Sequence, residues 1–108
     1  MKFDIDEVLT NMLSAVKKSV DTDWPFAKET ASDFFQSRKE RLELLTSLRL
    51  TNQLSEEFYE ARILDEKKIL VSELHAIAII SKVMAQNAAN AAFDVLDKAI
   101  QLALGIVL

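Results

Sequence analysis

Cysteine is absent from this 108-residue chain, and glycine and proline occur once each, as Gly105 and Pro25. Without cysteine, disulfides, thiolate nucleophiles and cysteine-ligated zinc are excluded. Turn-rich β architectures need many more punctuating residues than these two, whereas long helices avoid both. Neither occurs between Pro25 and Gly105, so the chain reads as all-α. A clustered basic run is also missing. The net charge is −4 and the lysines and arginines are scattered, which argues against a phosphate-backbone footprint and removes nucleic acid from the expected partners. No apolar run reaches the ~18 residues of a membrane span; Lys82, Asp94, Asp97 and Lys98 break up the most hydrophobic region. The opening MKFDIDEVL has no apolar leader region. The expectation is a cytoplasmic protein with no membrane partner.

Half of the residues are hydrophobic, too many for a disordered chain, and the length suits one helical domain over residues 1–108. Ile5, Val8, Leu9, Met12, Leu13, Val16 and Val20 recur at helical spacing. Asp4 or Asp6 can cap this first helix, and Lys17 and Lys18 suit its last turn. It is placed at about 5–20. The stretch DTDWPF breaks the pattern, because proline disfavours helix before it and opens helices well. A second helix at about 26–50 carries Ala27, Ala31, Phe34, Phe35, Leu42, Leu45 and Leu48 on one side. Arg38, Lys39, Glu40, Arg41 and Glu43 form its charged side. Thr51 and Asn52 followed by Ser55, Glu56 and Glu57 signal a new helix start. Gly105 suits the left-handed residue that closes a helix.

Between Ser55 and Leu104 a seven-residue period keeps its phase, from Leu70, Val71 and Leu74 to Ala91, Ala92 and Val95. Such a period marks helices packed side by side. It predicts one continuous helix over 55–104, with a break near Gln86–Asn90 as the alternative. The expected architecture is an N-terminal amphipathic helix plus a long helical hairpin, packed as a coiled-coil-like bundle. Ile80, Val83, Phe93, Leu96, Ile100 and Leu104 lie outside the seven-residue frame, so the last helix reads as apolar on more than one side. Fifty residues at ~1.5 Å each make a rod of about 75 Å, which two shorter helices cannot cover on both sides. Those six residues are therefore the expected interface with a second copy or another helical protein. Ala85, Ala88, Ala89, Ala91 and Ala92 would let helix axes approach closely. Asn87 and Asn90 read as surface residues, with a buried, register-fixing role as the alternative.

Candidate chemistry is sparse. His75 is the only histidine, and no carboxylate lies three or four residues from it. The Glu-x-x-His pattern of dimetal bundles is thus missing. The acid pairs Glu29 with Asp33, Glu40 with Glu43, and Glu57 with Glu60 fall on charged outer faces. Lys39 with Glu43, Arg62 with Glu66, and Asp94 with Lys98 have the spacing of exposed ion pairs. No Ser or Thr has an identifiable base, and there is no glycine-rich phosphate loop. The Trp24-Pro25-Phe26 corner plugs a bundle end or anchors a partner. The GIVL tail closes the last helix or lodges in a neighbour. Small secreted helical hairpins with a Trp-x-Gly turn and granule-coating phasin-like proteins have comparable helices, but no specific motif of either is present. No catalytic residue, metal ligand or cofactor is assigned. The sequence is read as a non-catalytic, self-associating structural or adaptor protein. An amphipathic binder of lipid is the rival, and a metal-dependent bundle enzyme the weaker one.

Overall fold

A computed structural model describes residues 3–105, all of its regular structure helical. α1 spans Ile5–Val20 and α2 Trp24–Leu50, joined by a 3-10 turn at Asp21–Asp23. α3 spans Glu56–Ala76 and α4 Lys82–Ala103. The all-α expectation holds, and the first two helices fall where the periodicity puts them. Asp4 caps α1, its carboxylate accepting from the backbone N–H groups of Asp6 and Glu7. Pro25 sits in the first turn of α2, and Ser55 caps α3 by accepting from Phe58.

The continuous helix over 55–104 is not observed. The chain leaves the helix at Ile77, not at Gln86–Asn90, and α4 begins only after Ser81. The Ile77 and Ala78 N–H groups still bond to the carbonyl of Glu73, and that of Ile80 to the carbonyl of Leu74. Ile79 then takes a left-handed φ of 58°. Ser81 caps α4, its hydroxyl accepting from the Met84 N–H at 3.1 Å. His75 Nδ1 donates to the Ile80 carbonyl at 2.9 Å, which ties the turn to α3 and fixes the tautomer. The three isoleucines in five residues disfavour helix, and Ser81 is a sound cap. The seven-residue frame passed over this break because the turn keeps Ala78 buried on its own account.

Each helix folds back on the one before it. Lys39 Nζ lies 2.7 Å from Asp6, which sets the start of α1 beside the middle of α2. Arg38 and Arg41 of α2 meet Glu66 of α3. Tyr59 and Asp97, near the start of α3 and the end of α4, line one groove. α4 packs along α1 as well as α3, whereas α2 and α4 touch only diagonally. The result is an up-down-up-down four-helix bundle of 38 × 24 × 20 Å, half as long as the expected rod. α1 and α4 pair most extensively. Fully buried Ala85, Ala88, Ala89 and Ala92 on α4, with Met12, Val16 and Val20 on α1, belong to one continuous core. The alanines do bring two helix axes together, and both belong to this chain.

Candidate functional site

The six residues expected at a shared interface divide sharply. Ile80, Phe93, Leu96 and Ile100 are core residues, Phe93 being 3 % exposed. Phe93 reaches across the bundle to Phe34, ring centres 6.5 Å apart and edge to face. Leu104 is half-buried, packed against the core at the end of α4. Only Val83 is largely open to solvent. This chain therefore covers the apolar face of its own last helix, contrary to the expectation from its sequence. Once the helix breaks at Ile77, its second half is short enough for α1 and α3 to cover. The two apolar stripes of α4 form one wide buried face, with Ala85, Ala88 and Ala92 from one and Phe93, Leu96 and Ile100 from the other.

Other side chains remain uncovered. Ile77, Ile79 and Val83 surround the α3–α4 turn and are 65, 84 and 67 % exposed. The α1–α2 turn lies at the same end of the bundle and adds Phe26, 68 % exposed. Trp24 of the aromatic corner is half-buried against the core, with Lys17 Nζ 6.0 Å from its ring centre. The corner thus splits, Trp24 plugging the end and Phe26 facing outward. A β-branched residue in the left-handed region is strained by roughly 1–3 kcal/mol. Ile79 holds that strain while its side chain packs on almost nothing. The end also carries charge of both signs: Asp21 and Asp23 occupy one turn, and Lys82 flanks the other.

A groove runs along the seam of α3 and α4. Its half near the α2–α3 end holds about 400 Å³ and is lined by Glu60, Asp94 and Asp97 over Ile63 and Phe93, with Lys67 and Asn90 at the border it shares with the other half. Its other half, about 550 Å³, is lined by lysines and amides. Asn87 and Asn90 are exposed on this seam, which leaves the register-fixing alternative without support.

The charges differ from their sequence pattern in two places. Glu66 was expected in an exposed pair with Arg62, yet it is buried between α2 and α3. There it faces Arg38 at 3.5 Å and Arg41 at 3.7 Å, while Arg62 pairs with Asp65. Lys39 pairs with Asp6 rather than Glu43, and the Asp6 carboxylate raises the pKa of Lys39 above its ordinary value. Asp94 and Lys98 do pair, at 3.1 Å. Among the described residues no group of three His, Asp or Glu is placed to hold a metal, and no helix is long and apolar enough to cross a membrane. Gly105 closes α4 at φ 77°, and Ile106–Leu108, on which the tail readings depend, lie outside the described residues. No family of known proteins matches this chain, and no curated protein or solved structure matches it.

Proposed function

We propose that this protein is a non-catalytic association module that docks end to end with a second copy of itself. The surface is the turn end of the bundle, with Ile77, Ile79 and Val83 at its centre, in place of the buried face of α4. The single observation that carries this reading is Ile79, strained in backbone and 84 % exposed. A stable fold gains nothing from presenting a bulky apolar side chain there, and local strain of this kind collects at working surfaces.

Charge favours a second copy as the partner. A two-fold arrangement sets the acidic turn of one copy, with Asp21 and Asp23, against the Lys82 turn of the other. Four side chains make a patch well below the ~800 Å² per partner of a standard stable complex, so the association is weak and reversible.

Sedimentation velocity over a concentration series tests it. The wild-type protein is expected to shift from monomer to dimer as concentration rises. Ile79→Asp is expected to remain monomeric, and so is Ile79→Gly. Glycine also relieves the left-handed strain, so Ile79→Gly is expected to raise folding stability by about 1 kcal/mol while association is lost. A wild-type chain that stays monomeric at every concentration sinks the proposal.

A further inference from the structure

We infer that the basic half of the α3–α4 groove is a binding site for a small molecule carrying a phosphate or oligophosphate group. Lys67 and Lys68 reach it from α3 and Lys82 from the first turn of α4, with Ser72, Gln86, Asn87 and Asn90 as neutral hydrogen-bonding groups and Val71 on the floor. Among the described residues no Asp or Glu lines this half. In a chain of net charge −4, the convergence of three lysines on the half of the groove without acids in its lining is a local reversal of sign. Among the described residues none of the three lysines forms an ion pair, although Lys17, Lys39 and Lys98 each engage a partner. Lys67 borders the acidic half, whereas Lys68 and Lys82 share the groove with no acid beside them in its lining, and an anion there would offset their charge.

The lining favours a phosphate over a simple carboxylate. Three ammonium groups and three amide NH2 groups exceed what two carboxylate oxygens accept, and match the larger oxygen count of an oligophosphate. The shape favours a small molecule. About 550 Å³ of concave groove falls in the usual size range of ligand pockets. Lys82 stands at the positive end of α4, where its charge opposes the helix dipole and an anion's would complement it. Along the chain Lys67–Lys68 and Lys82 are fourteen residues apart, so only the reversal at Ile77–Ser81 brings them to one seam.

Isothermal titration calorimetry with inorganic tripolyphosphate at low ionic strength tests the inference on the full chain. Saturable binding is expected, with the Asn87 and Asn90 side-chain amide resonances moving in a parallel NMR titration. The triple variant K67Q/K68Q/K82Q is expected to lose at least about tenfold in affinity, the equivalent of one charge-assisted hydrogen bond. The control K18Q/K28Q/K98Q removes the same charge elsewhere and is expected to lose less than about threefold. All six lysines have at least partly exposed side chains, and circular dichroism confirms that both variants fold. Equal losses in the two variants, or no saturable binding, overturn the inference. Flotation with phosphatidylcholine vesicles doped with phosphatidylinositol bisphosphate separates the two sources of phosphate. Binding to these vesicles without binding to tripolyphosphate would also overturn it.

Discussion

Glu66 shows how a single side chain can be costly and still well held. Its carboxylate is 2 % exposed, and both guanidinium contacts are long: Arg38 Nη1 donates to Oε2 at 3.5 Å, while Arg41 at 3.7 Å leaves Oε1 without a hydrogen bond. Removing a carboxylate from water costs several kcal/mol, and a loose pair returns only part of it. The two arginines are partly exposed and can turn to solvent; Glu66 cannot. The expected effects are therefore unequal. Arg38→Ala removes the one hydrogen bond to a buried carboxylate, leaves it only the longer Arg41 contact, and is expected to cost about 2–4 kcal/mol. Glu66→Met fills the same space without charge and is expected to stay within about 1 kcal/mol of wild type, on either side. Urea denaturation of the two variants decides it, and the idea fails if Glu66→Met is the more damaging.

The helices form a ring in which α4 is the tightest fit. Ala88 is fully buried, within the alanine face that lets α4 lie close along α1. Ala88→Leu forces three more carbons into that seam and is expected to cost about 1–3 kcal/mol, read from the urea midpoint. Leucine has nearly alanine's helix propensity, so a loss of this size reports packing alone. At this scale the sequence was legible wherever a start or stop carried its own chemistry: Asp4, Pro25, Ser55 and Gly105 each stand at or beside a helix end. The α3–α4 turn was not legible, because periodicity registers burial and cannot separate a buried turn residue such as Ala78 from a helical one. A fifty-residue rod demands an outside partner, whereas two helices of half that length cover each other. The candidate surfaces were hidden for the same reason. Ile79 and the lysine groove exist only because the chain reverses between Ile77 and Ser81. Ser81 after three closely spaced isoleucines was the one local signal of it.

Across the whole molecule, alkaline pH acts on two of the helix seams in one direction. Tyr59, the only tyrosine, is buried, and among the described residues its hydroxyl makes no hydrogen bond of good geometry, the Thr46 hydroxyl being its polar neighbour. Burial pushes its pKa well above the ordinary 10.0, and the neighbouring Thr46 hydroxyl opposes this only in part. On the α1–α2 seam, Lys39 is raised from 10.5 by its hydrogen bond to Asp6. Both groups bind protons more tightly folded than unfolded, so stability is fully present below the unfolded values and is lost as pH rises past about 10. Because there is one tyrosine, its phenolate absorption reads a single group. It is expected to stay silent as pH rises through 10 and then appear together with the loss of helical circular dichroism, since only unfolding lets Tyr59 ionise. Tyr59→Phe is expected to soften the alkaline fall in urea midpoint and to change stability near neutral pH by less than about 1 kcal/mol, because among the described residues the hydroxyl it removes makes no hydrogen bond of good geometry. Phenolate appearing near pH 10 while the helices remain intact would mean that water reaches Tyr59 in the folded bundle, and that the α2–α3 seam opens without the rest.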